Sequence, residues 1–254
     1  MSETLRPLIL VCNDDGFYSP GIQKLTEVAQ RFGEVRVIAP DRQQSAVGHS
    51  ITISQPLRAN KVKMPSGLDA TAVNGTPADC IKLAHDKLMD RKPDLVLSGI
   101  NHGSNAGINI IYSGTVSAAT EATILGYPAI AVSCSDFDED ADLSGCADAA
   151  SRVIQFVLKN GLPKGVTLNV NAPAGPLKDL VWTKQADSRY VEEYDGRVDP
   201  FNRPYYWMTG KFELLENGSD LDVSVIDEGK ASVTPIQYDL TAHGFFHEIK
   251  KNVL

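Results

Sequence analysis

Five short, mostly apolar runs recur along the chain: Leu8 to Cys12, Val35 to Ala39, Leu95 to Leu97, Ala129 to Cys134 and Val166 to Val170. A run such as Leu-Ile-Leu-Val-Cys is apolar without alternation, so it has two faces to bury, and a strand covered on both faces belongs in a parallel sheet between helices. The segments between the runs supply those helices. Ser19 offers an N-cap with Pro20 in the first turn, Ile22, Leu25, Val28, Ala29 and Phe32 share one face, and Gly33 ends the pattern. Thr76 and Pro77 open a second helix carrying Ile81, Ala84 and Leu88, and further helices are predicted from near Thr115 to Leu125 and from near Cys146 to Lys159. Strand and helix alternating at this pitch predict an α/β fold built on a doubly wound, mostly parallel sheet in three layers.

Past Asn171 the helical period fades. Segments such as Tyr205 to Met208 and Ala231 to Ile236 read as antiparallel strands between long polar stretches. Residues 1–171 are therefore expected to form the core and 172–254 a β-rich C-terminal extension of the same domain, not a second core. That extension holds most of the aromatic residues of the chain, from Trp182 to Phe246. A two-stranded ribbon is marginal alone in water, so these side chains need a surface to cover, on their own subunit or on a neighbour's.

Composition narrows the function. No apolar run reaches the length of a membrane span, and the apolar segment from Leu8 to Cys12 is too short for a signal-peptide core, so a cytoplasmic location is expected. Four isolated cysteines, Cys12, Cys80, Cys134 and Cys146, form no CxxC pair and read as reduced, mostly core thiols. A net charge of −8 disfavours non-specific binding to nucleic acid or to anionic membrane. An anionic substrate then needs a local attractor, for which a metal ion or a helix N-terminus suffices.

In open α/β sheets the functional groups gather outside the carboxyl ends of the strands. After the first predicted strand stand Asn13, Asp14, Asp15 and Gly16. Adjacent carboxylates repel, and a cation bound by both removes the cost; a simple turn uses the same residue types. After the Leu95 strand come Ser98, Gly99, Ile100 and Asn101, whose amide oxygen suits a hard cation such as Mg²⁺ or Mn²⁺ and equally suits a turn. Tyr112-Ser113-Gly114-Thr115 opens a helix, where free N–H groups, hydroxyls and the positive dipole end form an anion site, although Ser113 also serves as an ordinary N-cap. The joint placement of acid pair, amide and helix start at the ends of one sheet fits metal-assisted hydrolysis of a phosphate ester. Two rival architectures fail on spacing. The Asp-x-Asp that a haloacid-dehalogenase-type phosphatase carries after its first strand is absent there because Gly16 and Phe17 stand two beyond the acids, and a receiver domain lacks its aspartate because Ser98 to Asn101 ends that strand. Neither a P-loop nor a GxGxxG fingerprint occurs.

Together these stretches resemble the stationary-phase survival protein SurE family of metal-dependent 5′-nucleotidases. The matching residues are Asn13 to Gly16 with Ser19 to Ile22; Ala39 to Arg42 with Ser45 and Gly48 to Thr52; Asn74 to Cys80; Pro93 to Val96 with Ser98 to Asn101; Tyr112 to Val116; Leu168 to Asn171; and Val233 to Pro235 with Asp239 to Thr241. Cys12 and Ala46 depart from the commonest family pattern, and neither removes a ligand. The resemblance implies a Rossmann-like core and hydrolysis of nucleoside 5′-monophosphates to nucleoside and phosphate, with 3′-nucleotides and short polyphosphate as further substrates. It implies one divalent cation, Mg²⁺ or Mn²⁺, on Asp14, Asp15, Ser45 and Asn101, and phosphate contacts from Asn13, Asn105, Ser113, Gly114 and Thr115. One of Asp14 and Asp15 is expected to take the proton from the attacking water. His102 is expected to be a supporting polar group and not the base. A homodimer or homotetramer through strands exchanged from about Val191 to Thr241 is also implied, with no membrane and no stable nucleic-acid partner. A nucleotide-binding regulatory module without turnover is the alternative.

Overall fold

The computed structural model describes residues 6–250. Strand β1 (Leu8–Cys12) is buried along its whole length, as its unbroken apolar run requires. Helix α1 (Pro20–Ala29) starts where expected, with the Ser19 hydroxyl accepting from the Ile22 N–H. Strand β2 (Glu34–Pro40) is followed by two strands that the periodicity did not announce, β3 (Ala59–Lys63) and β4 (Asp69–Val73). Helix α2 (Pro77–Leu83) carries a full capping box between Thr76 and Asp79 and passes into a π-helical turn over Ala84–Leu88. Strand β5 (Leu95–His102) runs well past Leu97. The short helix α3 (Asn109–Tyr112) leads into α4 (Gly114–Ile124), and then come β6 (Ala129–Cys134), α5 (Ser144–Asn160) and β7 (Val166–Ala172).

One nine-stranded sheet results. From β4 through β2, β1, β5 and β6 to β7 every neighbouring pair is parallel. Helices α1 and α5 pack together on one face, while α2 and α4 pack together on the other, which gives the three layers. The chain builds outward from β1 to β2 and β4, then crosses back to place β5 on the opposite side of β1. That reversal puts a crevice between the carboxyl ends of β1 and β5, the place where open α/β sheets bind ligands.

The C-terminal residues divide between the sheet and structures outside it. Strands β8 (Leu180–Trp182), β9 (Ser188–Val191), β10 (Tyr194–Val198), β11 (Pro204–Met208) and β12 (Lys211–Leu214) precede helix α6 (Asp222–Asp227), strand β13 (Ala231–Gln237) and helix α7 (His243–Ile249). Strand β13 pairs antiparallel with β7 and parallel with β8, so the core sheet continues beyond residue 171. The pairs β10–β11 and β9–β12 form two separate antiparallel ribbons. Asp222, fully buried, ties this region to the core by accepting from the N–H groups of Gly107, Ala186 and Val223. All four cysteines are buried free thiols. No helix among the described residues is long and apolar enough to cross a membrane.

Candidate active site

A cavity of about 550 Å³ opens at the crevice, lined by Asp14, Asp15, Ser45, Asn101, Asn105 and Ser113 among others. These residues come from several separate parts of the chain. The acid pair follows β1 directly, so the rigid, buried strand sets its position. Ser45 is carried in by the loop after β2, whose Gln44 N–H donates to the Asp14 carbonyl at 2.7 Å, while Gln43 Nε2 donates to Asp15 Oδ1 at 3.3 Å. The same loop is tied further on by the Gly48 N–H to the Tyr112 carbonyl and by His49 Nε2 to Glu121 Oε2 at 2.8 Å. Glu121 also receives Lys82 Nζ at 3.0 Å; burial acts to raise its carboxyl, and His49 and Lys82 together outweigh that and hold it below the usual range.

Asn101 owes its place to an irregularity in β5. The register against β6 shifts between Gly99 and Asn101, so the strand end turns its side chain to the cavity. The Asn101 Nδ2 donates to the carbonyls of His102 and Gly103 at 3.1 and 2.7 Å, which leaves Oδ1 as the end of the amide available to a ligand.

The electrostatics of the acid pair are unfavourable as they stand. Asp14 is 4% exposed, and burial, reinforced by the neighbouring charge of Asp15, pushes its carboxyl up to about 6. The Thr115 hydroxyl donates to Asp14 Oδ1 and only partly offsets this. Burial raises Asp15 as well, against the pull of His102, whose Nδ1 stands 4.0 Å from Asp15 Oδ2. Asp15 Oδ2 is buried with no hydrogen-bond donor among the described residues. A buried carboxylate oxygen without a partner is costly. Two carboxylates, a hydroxyl and an amide oxygen around one cavity, with that oxygen unsatisfied, are the donor set of a hard divalent cation.

The opposite wall is the start of α4. Ser113 caps this helix by accepting from the Val116 N–H at 3.0 Å, which leaves its hydroxyl proton free to donate into the cavity. Gly114 is needed for close approach: a Cβ there would lie 2.8 Å from Asp14 Cβ and 2.9 Å from Asp14 Oδ2. The helix N-terminus therefore abuts the acid pair. An anion placed in the cavity beside both meets the positive end of the helix dipole on one side.

Three residues expected at the phosphate lie behind this wall instead of lining it. Asn13 is fully buried and spends its Nδ2 on the Gly16 carbonyl and Ser19 Oγ, at 3.0 and 2.9 Å, with Oδ1 unpartnered among the described residues. It braces the turn that carries the acids. Thr115 directs its hydroxyl to Asp14, and Gly114 has no side chain to offer, so neither presents a side chain to the cavity. Asn105 does line the cavity, but its Nδ2 donates to Ser133 Oγ at 2.8 Å and its main-chain N–H to Asn171 Oδ1 at 2.7 Å. Asn169 Nδ2 completes this network on the Asn105 carbonyl. The functional weight of Asn169, Asn171, Ser133 and Gln43 is not legible from motif chemistry. For the asparagines the local signals are the polar residues recurring within the Val166 to Ala172 run and the match of Leu168 to Asn171 to the family pattern.

The family description "Survival protein SurE" matches residues 9–192. The 5′-nucleotidase SurE of Cytophaga hutchinsonii is 49% identical over 251 residues, covering 97% of each chain, and that of Moorella thermoacetica is 45% identical over 246 residues, covering 95% of this chain and 94% of its own. Among solved structures, the SurE protein of Aquifex aeolicus superposes with a TM-score of 0.83 at 39% identity, covering 96% of this chain and 99% of its own. A match of this extent, with the acid pair, the β5 asparagine and the α4 start assembled at one crevice, places the chain in the SurE family.

Proposed function

We propose that this protein hydrolyses nucleoside 5′-monophosphates to nucleoside and phosphate with the help of one divalent cation, Mg²⁺ or Mn²⁺. The observation that carries the reading is the acid pair, with Asp14 buried, beside a capped helix N-terminus at a cavity large enough for a mononucleotide. The names of the related proteins point to the same activity. Asp14, Asp15, Ser45 and Asn101 hold the cation in this proposal. A cation bound there neutralises the acid pair and polarises the phosphate ester as a Lewis acid.

The chain's own residues do the rest. Ser113 donates its hydroxyl proton to a phosphate oxygen while its lone pair keeps the cap on Val116. In this proposal the positive end of the α4 dipole, next to Ser113, stabilises charge that builds on the phosphate oxygens. Thr115 holds Asp14 and Gln43 holds Asp15 beside His102, so that one of the two carboxylates takes the proton of the attacking water. Asn13 and the Asn105, Asn169 and Asn171 network keep the strand ends in place. The expected result is EDTA-sensitive release of phosphate from a panel of 5′-mononucleotides, with 3′-nucleotides and short polyphosphate as further arms. No release from any of these at saturating Mg²⁺ or Mn²⁺ overturns the reading. Nucleotide binding without turnover points to a regulatory module instead.

We propose further that the cytoplasmic form is a homodimer or homotetramer joined through residues 172–254. The support is the β10–β11 ribbon, which pairs with no other strand among the described residues and exposes Tyr194, Tyr206, Trp207 and Met208. Light scattering is expected to give a multiple of the 27.5 kDa chain mass. A monomer mass that persists across dilution overturns it. Deleting residues from Val191 onward is expected to give aggregating protein, since unpaired edges are then exposed.

A further inference from the structure

The cavity extends beyond what a phosphate and a cation occupy, and part of its lining is aromatic. Phe137 belongs to the acidic loop after β6, yet it lines the same cavity as Asp14 and Ser113. Its ring lies directly over Gly103: a Cβ on Gly103 would come within 2.4 Å of Phe137 Cε1, and Gly103 has φ +97°, where side chains are disfavoured. The loop is pinned in that position. The Gly103 N–H donates to the Asp136 carbonyl at 2.8 Å, and the Asp136 carboxylate accepts from the Asp138 N–H at 3.0 Å in an Asx turn. The ring is thus supported from beneath while it remains 79% exposed. Gly103 directly follows His102, whose imidazole neighbours Asp15, so the supported ring stands close to the acid pair.

We propose that Phe137 is the platform on which the nucleobase of a mononucleotide stacks while its phosphate lies in the cavity against the acid pair and Ser113. This deepens the proposed nucleotidase reading and rests on it. The charges around the ring favour this occupant over another anion. Asp136, Asp138, Glu139 and Asp140 flank Phe137 in sequence, and Glu139 also lines the cavity, so a second phosphate there meets repulsion. A neutral base with a π face is attracted to the ring and insensitive to those charges. The ring already rests on Gly103 in a loop held by the Asp136 carbonyl, which lowers the ordering cost of binding a base in this proposal.

The test compares AMP with ribose 5-phosphate, which keeps the sugar and phosphate and lacks the base, in the wild type, Phe137→Ala and Phe137→Trp. The exposure of Phe137 leaves the fold of either variant undisturbed. Phe137→Ala is expected to raise KM for AMP about tenfold, the loss typical of truncating a stacked aromatic, with kcat for AMP and both constants for ribose 5-phosphate unchanged. Phe137→Trp is expected to keep or lower KM for AMP. An unchanged preference for AMP over ribose 5-phosphate in Phe137→Ala overturns the platform while leaving the nucleotidase reading intact. Calorimetric titration of the non-hydrolysable phosphonate analogue of AMP into the Mg²⁺-loaded wild type and Phe137→Ala decides the platform by itself: equal affinities overturn it even where the wild type shows no turnover of AMP, which is the result that sinks the nucleotidase reading.

Discussion

Asp14→Asn and Asp15→Asn are each expected to lower metal-dependent phosphate release at least about a hundredfold, the scale on which losing one preorganised charge-stabilising group acts. The loss follows from the proposed ligand role, because an amide replaces a carboxylate in a set that has only two. The stability of the metal-free protein is expected to move the other way. Burial first, and then the Asp15 charge, lift the Asp14 carboxyl to about 6 from 3.8. A group whose folded value is raised binds protons more tightly in the native state, so its ionised form costs stability above about pH 6, and the cost fades as pH falls towards 3.8. At about 1.4 kcal/mol for each pH unit between the two values, Asp14→Asn gains up to about 3 kcal/mol near neutral pH in chelator and nothing near pH 4. The amide introduced in place of the Asp14 carboxylate keeps an oxygen that can accept from the Thr115 hydroxyl, so the variant does not lose that bond. Denaturant unfolding of wild type and variant in EDTA across this range measures the difference. A destabilised Asp14→Asn with unchanged metal affinity assigns the pair to a turn and removes it from the metal site.

Gly114→Ala is expected to be nearly as damaging to activity, although alanine is the better helix former by about 1 kcal/mol. The added methyl meets Asp14 at 2.8 and 2.9 Å, and Asp14 stands at the end of a strand that is buried throughout, so the helix start has to yield. A displacement of about 1 Å between reacting groups costs on the order of a hundredfold in rate. kcat/KM is expected to fall by that order while far-UV circular dichroism keeps its helical signal. The pH-dependent gain in metal-free stability is expected to be absent, because both carboxylates remain. Normal turnover in Gly114→Ala shows that the α4 start and the acid pair do not act on one phosphate.

Strands and helices with strong local signals follow their sequence patterns closely: β6 has the predicted bounds, Ser19 and Thr76 cap the helices they were expected to cap, and Ser113 caps α4. The β3–β4 hairpin was not legible because β3 reads Ala-Asn-Lys-Val-Lys on an exposed sheet edge, where no buried face imposes an apolar pattern. The bonding around the acids was equally silent. Thr115 and Asp14 are 101 residues apart, and Gln43 and Asp15 are 28 apart, so no spacing rule connects them.

The order of residues by itself determined the layered α/β class, the strand ends at which Asp14, Asp15 and Asn101 fall, and the helix start at Ser113, because each follows from hydrophobic period and capping within a few residues. Only the tertiary structure decided that β5 returns to the far side of β1, which makes one crevice of those separate ends. It also decided that Gly114 lets α4 meet Asp14, that Thr115 braces a carboxylate, and that β8 and β13 join the core sheet while the β10–β11 ribbon stays outside it. The physical reason is that strand neighbours and helix approach are set by long-range packing, for which local periodicity carries no record of the partner.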